Sequence, residues 1–396
     1  MANQSALLIW LPYDRGPKLR DGDDGVDRVA GRVSAVRKFF PVPLRSVLVP
    51  VFALVVAAAF MVLWSGPLPG WLVPFAGLLL LATVLAAVHH AETIAARLGD
   101  PYGAILLALA VTMIEVALIV SVLLKAPAGT SEIARDTVFA AIMIVLNGIV
   151  GICLLVGGIR FREQDFVARG AVGALAVLAT VAVLALVLPN YTLAVPGPVY
   201  ATPQLLFVAI VSLGLYALFL FVQMVRHRGD FSDPRVEELA EHKPGGRALG
   251  IALFLLPAAL LGVVLLAEIL APSVEHAVER AGLPAALVGV VIAMTVLLPE
   301  GTAALRAARA NRLQTSLNLA LGSALASICL TIPAVAFLSI ALGQPLTLGL
   351  EAEHIVLLLL SLFVATLSLA MGRTTILQGG LHLVIFAAFL TIAAIP

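Results

Sequence analysis

The sequence predicts an all-α integral membrane protein of about 11 transmembrane helices, built as one peripheral helix plus two inverted five-helix repeats. Three observations carry that prediction. The chain is 61% hydrophobic and 12% charged, about half the charged share of a soluble domain. Its apolar runs are long and continuous, as membrane helices require, and do not alternate as barrel strands do. Two glutamates, Glu115 and Glu300, lie at matching places in two copies of one pattern, Gly99 to Arg160 and Leu283 to about Pro333.

Residues 1–45 carry eight Lys and Arg before any run long enough to insert, so a cytosolic basic N-terminal tail is expected, without a cleavable signal peptide. Within it, Val26 to Phe40 reads either as a basic helix on the membrane surface or as a positive tail that fixes topology. Apolar spans follow near 46–65, 71–95, 101–124, 137–159, 171–189, 202–225, 248–271, 284–307, 315–341, 351–371 and 375–395. Each is close to the ~20 residues that a membrane helix needs. The first span belongs to a peripheral segment, 46–70. The next five form the first repeat, 71–225, and the last five the second, 248–396. A polar cytosolic connector, 226–247, separates them. Its Glu237, Glu238 and Glu241 read as a solvated face or as a regulatory cation site. Cys153 and Cys329 lie inside apolar runs and read as small buried hydrophobes, without metal-ligand spacing.

Charge fixes the orientation. With the N-terminus inside, 21 of the 24 Lys and Arg fall on cytoplasmic segments, leaving Lys125, Arg135 and Arg280 outside. That bias predicts an odd number of spans and an outside C-terminus. The Glu115 span then runs outward and the Glu300 span inward, so the two copies are inverted about an axis in the membrane plane. Repeated halves with polar groups at mid-membrane are the mark of a secondary transporter.

A carboxylate in hydrocarbon costs several kcal/mol, so two placed alike point to function. Aligning the helices that follow each glutamate brings Asn147 onto Ser323, Gly151 onto Ser327 and Cys153 onto Cys329. In each helix the polar positions are four apart and share a face. Neutral oxygens beside two carboxylates suit a hard cation such as Ca2+ or Na+. Pro299 leaves the Thr295 carbonyl without its helical partner, and Thr112 supplies a hydroxyl one turn before Glu115. Burial favours the protonated carboxyl, and an arriving cation favours the charged one. Proton and cation therefore exclude each other at Glu115 and Glu300.

His89, His90 and Glu92 lie toward the cytoplasmic end of the second span. Glu275, His276 and Glu279 lie just beyond the seventh, on the opposite side. They read as proton relays or as polar helix ends at the headgroups. Glu268, deeper in the seventh span, is open between lining the pathway and not.

The residues resemble those of bacterial calcium/sodium/potassium–proton antiporters of the calcium/cation antiporter superfamily, and more distantly those of calcium/proton exchangers. The resemblance spans the first apolar run to the last. Its most specific pieces are Leu98 to Ile105, Gly157 to Gln164, Glu275 to Glu300 and Asn311 to Ser327. It implies the peripheral helix and inverted repeats, with Glu115 and Glu300 taking the cation. Ser323 matches a polar position of the family firmly and Asn147 loosely, and Glu268 falls at an acidic position of the exchangers. The sequence departs where those exchangers carry Gly-Asn-Ala before each glutamate. Here Val111-Thr112-Met113 and Val296-Leu297-Leu298 stand in those places, and Gly301 replaces a His after the second glutamate. The missing Asn ligands bring Na+ and K+ beside Ca2+ as candidate cargo.

The resemblance implies inorganic cations, protons and the lipid bilayer as partners, with no organic cofactor and no nucleic acid. Three rival readings remain open. One is a sodium/calcium-type exchanger that uses no protons. Another is a metal hydrolase built on His89, His90 and Glu92, against which stand the missing His-Glu-x-x-His pattern and the ~100° between adjacent helical side chains. The last is an ion channel, which an inverted repeat around two carboxylates disfavours.

Overall fold

A computed structural model describes residues 44–63, 68–98, 102–125, 132–231, 245–282, 284 and 286–395. The basic tail and most of the connector, with Glu237, Glu238 and Glu241, lie outside the described residues. The helices are α1 (Leu44–Leu63), α2 (Val73–Leu98), α3 (Tyr102–Lys125), α4 (Glu132–Met143), α5 (Val150–Phe161), α6 (Ala168–Ala182) and α7 (Thr202–Phe221). After the connector come α8 (Gly246–Arg280), α9 (Ala286–Arg309), α10 (Leu313–Leu342), α11 (Ala352–Ala370) and α12 (Ile376–Ala394). Two short strands, β1 (Gln164–Asp165) and β2 (Arg373–Thr374), pair antiparallel.

Among the described residues, eight helices are long and apolar enough to cross a membrane, and a ninth if the bent pair Gly289–Leu298 and Glu300–Arg309 is one span. Shorter apolar stretches, Ser46–Met61 and Ala108–Ala117, lie in α1 and α3. Phe254, Leu78 and Phe363 point outward, as a surface facing hydrocarbon requires.

Local chemistry sets the breaks. The 51° bend in α9 falls between Leu298 and Glu300, at Pro299, because proline removes one helical hydrogen bond and crowds the preceding turn. Gly343, at φ 65°, ends α10 in the left-handed conformation. Gln378 accepts the Thr375 N–H at 2.9 Å and starts α12. Wider π turns interrupt three spans, at Ile144–Ile149 between α4 and α5, at Val183–Val187 and at Val222–Arg226.

One expectation is corrected here. Glu275, His276 and Glu279 are not beyond the seventh span but on the last turns of α8, which continues to Arg280. Ala277, Val278 and Glu279 are compatible with helix, so the rod outlasts its apolar stretch.

The packing partners recur with the two halves exchanged. Helix α3 packs on α10, and α9 on α4 and α5. Helix α5 packs on α12, and α10 on α7; α6 packs on α10, and α11 on α4. The links follow the same rule. The link after α5 pairs with the link after α11 as β1 and β2, and Val199, after α6, bridges Thr347, after α10. Most of the core lies among α4 to α7 and α9 to α12. A second cluster joins α1 and α2 to α8.

Candidate functional site

Glu115, midway along α3, is 5% exposed and accepts a hydrogen bond from the Ser327 hydroxyl of α10 at 2.7 Å. Thr112, one turn earlier, is also buried and donates its own hydroxyl to the Ala108 carbonyl at 2.8 Å. Glu300 follows the Pro299 bend and is 2% exposed, and neither of its carboxyl oxygens makes a hydrogen bond of good geometry. The two carboxyls are near enough for their charges to repel. Isolated buried carboxylates are strongly disfavoured unless neutralised or paired, so this arrangement calls for protons or a cation.

Glu300 lines a narrow cleft bounded by α3, α7 and α10. Its polar lining is Tyr216, Gln223, Asn318 and Ser323. Ser323 and Ser327, four apart on α10, thus turn one face toward the two glutamates. Thr295 lies on α9 one turn before the bend.

Asn147 goes elsewhere. Its Nδ2 donates to Ser361 Oγ at 2.8 Å, and its Oδ1 stands 3.1 Å from His382 Nδ1. In this structure its amide is hydrogen-bonded to α11 and α12. Asn147 lies within the π turn Ile144–Ile149, which widens the helix by about one residue there.

The expected proton-path residues scatter. His90 is fully buried, and its Nε2 pairs with the Ser46 carbonyl of α1 at 2.8 Å. His89 is half-buried beside it, with ring centroids 5.8 Å apart, and Glu92 is exposed. Glu268 is half-buried within α8. His276 is exposed and pairs locally with the Pro272 carbonyl at 2.9 Å. Among the described residues, no group of three or more His, Cys, Asp or Glu is arranged to hold a metal ion, which leaves the hydrolase reading without a ligand set there.

Sequence reasoning missed Tyr216, Gln223, Asn318 and the buried pair Ser361 and His382. A signal existed for the first two, because positions seven apart on an otherwise apolar span share one face.

The chain matches the sodium/calcium exchanger protein family over residues 68–225 and 251–395. It is similar to a protein of Sinorhizobium fredii named as an ionic transporter, with 51% identity over 90% of this chain and 97% of that one. It is also similar to the sodium-potassium/proton antiporter ChaA of Escherichia coli, with 35% identity over 78% of this chain and 85% of that one. The crystal structure of the H+/Ca2+ exchanger CAX shares its fold, with a TM-score of 0.67 and 17% identity over 88% of each chain. Helical architecture, buried carboxylates and sequence kinship agree: the chain belongs to the sodium/calcium exchanger protein family, a family of multi-pass membrane ion transporters and not of enzymes.

Proposed function

We propose that this chain is an inner-membrane antiporter that exports Ca2+ and/or Na+ or K+ in exchange for H+ by alternating access. Glu115 and Glu300 bind cation and proton competitively, with Ser323 and Ser327 beside them. The N-terminus is cytoplasmic and the C-terminus outside. Eleven spans form a peripheral helix and two inverted five-helix halves, divided by the 226–247 connector. The exchanged packing of the halves supports that organisation.

One observation carries the reading: Glu300 is buried on the wall of a cleft whose other polar lining, Tyr216, Gln223, Asn318 and Ser323, carries no positive charge to pair with it. An unpaired carboxyl at membrane depth is stable when protonated or when holding a cation, and alternation between those states is exchange. The kinship with a sodium-potassium/proton antiporter supports protons as counter-ion. Moving a divalent cation out against 100 mV costs about 4.6 kcal/mol from voltage alone. Two returning protons cancel that charge, and three make the exchange electrogenic.

The test uses everted membrane vesicles with an acidic interior and a pH-sensitive dye. Ca2+, Na+ or K+ should collapse the gradient with the wild type and fail with Glu115→Gln or Glu300→Gln. Cation-for-cation exchange with no pH change would establish the proton-independent exchanger instead.

A further inference from the structure

The cleft that Glu300 lines has a second polar wall. Helix α7 and the π turn after it supply Tyr216 and Gln223 to that wall. The two are seven residues apart, so they share one face, two turns from each other. They are 6% and 5% exposed. No hydrogen bond ties the Tyr216 hydroxyl or the Gln223 amide to another described residue, and what little of each side chain is open faces the cleft. Asn318, across the cleft, behaves differently: its Oδ1 accepts from Gln314 at 3.0 Å and its Nδ2 donates to the Phe231 carbonyl. Asn318 is thus used by the fold, while Tyr216 and Gln223 keep their oxygens for whatever enters.

Two nearly buried polar side chains that the fold does not use, on the wall of the cleft that Glu300 lines, leave their oxygens to whatever enters it. The π turn Val222–Arg226 begins one residue before Gln223, and π turns recur where a helix re-aims a side chain at a functional site. The oxygens on offer are an amide, a phenol, the Ser323 hydroxyl and one Glu300 carboxylate. That set is all oxygen with a single negative charge, the chemistry of a hard cation that has shed part of its water.

We propose that Tyr216 and Gln223 form a staging site where the cation exchanges hydration water for neutral oxygens before it reaches Glu300. Neutral ligands hold the ion firmly enough to enter and loosely enough to pass on. Ile105, Asn318 and Gln223 all lie near helix ends that the charge bias assigns to the cytoplasm, so the site meets ions from that side. This inference rests on the antiport reading above and adds a residue pair that sets cation affinity.

Everted vesicles test it, because their outer surface is the cytoplasmic face. Gln223→Leu, of similar size but without the amide, should raise the half-saturating cation concentration about tenfold. Its melting temperature should match the wild type. Tyr216→Phe should move the same constant in the same direction, and Gln223→Glu should lower it for Ca2+ more than for Na+ or K+. An unchanged half-saturation in Gln223→Leu overturns the inference. So does a fall in maximal rate accompanied by a lower melting temperature, which marks a packing role. Glu300→Gln run in parallel separates the two levels. If Glu300→Gln is inactive while Gln223→Leu keeps wild-type half-saturation, the staging site alone is wrong. If wild-type vesicles respond to no cation, the antiport reading falls and the staging site with it.

Discussion

Ser327 on α10 donates to the Glu115 carboxyl at 2.7 Å, and Ser323, one turn earlier on the same helix, lies at Glu300. One helix thus brings a hydroxyl to each glutamate. The sequence alignment sets Ser327 opposite Gly151, which has no side chain to offer, so both hydroxyls come from the second half. A hydroxyl held on a carboxyl fixes the direction in which that carboxyl presents its oxygens.

Ser327→Ala removes the hydroxyl that holds the Glu115 carboxyl. The half-saturating cation concentration should rise, because a charge-assisted hydrogen bond of about 1.5–3 kcal/mol corresponds to about ten- to a hundredfold in affinity. Ser327→Thr, which keeps the hydroxyl, should recover most of the loss. An unchanged half-saturation in Ser327→Ala would show that Ser327 does not position Glu115.

Pro299→Ala should straighten α9. Alanine restores the N–H that proline lacks, and the Thr295 carbonyl regains its helical partner. The melting temperature of the purified protein should hold or rise, because an interior proline costs a helix about 3 kcal/mol. Transport should fall by about tenfold or more, as expected when a mobile element is stiffened. Stability gained together with full transport would mean that the 51° bend has no part in the cycle.

Asn147→Ala should separate packing from ion binding. It strips the partner from His382 Nδ1 and the donor from Ser361 in a fully buried cluster. The expected loss is about 1–3 kcal/mol of stability for each group left unpaired. Half-saturation for the cation should stay near the wild type in whatever protein remains folded. A large affinity change at unchanged melting temperature would return Asn147 to the cation site.

How far the sequence reached depends on the range of each signal. Helix type follows from long apolar runs, and the depth of Glu115 and Glu300 follows from their place in those runs. Both are local properties, and the structure keeps both residues buried. Which way a side chain faces is not local. Asn147 lies within a π turn and its amide bonds to α11 and α12, and a four-residue spacing rule cannot anticipate the inserted residue. The His90 contact with the Ser46 carbonyl depends on α1 lying against α2, a tertiary fact. Tyr216 and Gln223 stayed hidden because a phenol and an amide on an apolar helix attract less notice than a carboxylate.

Arg135 gives the last prediction. It is 4% exposed at the start of α4, where the helix dipole opposes a positive charge. What holds it is the link between α10 and α11. Its Nε stands 2.7 Å from Asp136, its Nη1 donates to the Gly349 carbonyl at 3.1 Å, and Glu132 and Glu351 lie 3.8 and 3.9 Å away. Glu132 and Glu351 are more than half exposed, so water screens those two pairs and they contribute little. The larger part is the hydrogen bond to Gly349 and the close contact with Asp136, about 1–3 kcal/mol. Arg135→Met should therefore lower the melting temperature. Arg135→Lys should recover only part of it, since an ammonium cannot reproduce the guanidinium fork. The loss should also depend on pH. Desolvation pushes the Glu351 carboxyl up and Arg135 draws it down, so without Arg135 it should rise further. A carboxyl raised in the folded state supports folding below its unfolded value and withdraws that support as pH climbs through the folded one. The gap in melting temperature between wild type and Arg135→Met should thus be smaller near pH 4 than at pH 7. A gap that does not change with pH would show that Arg135 works on this link through its backbone contact at Gly349 and not through charge.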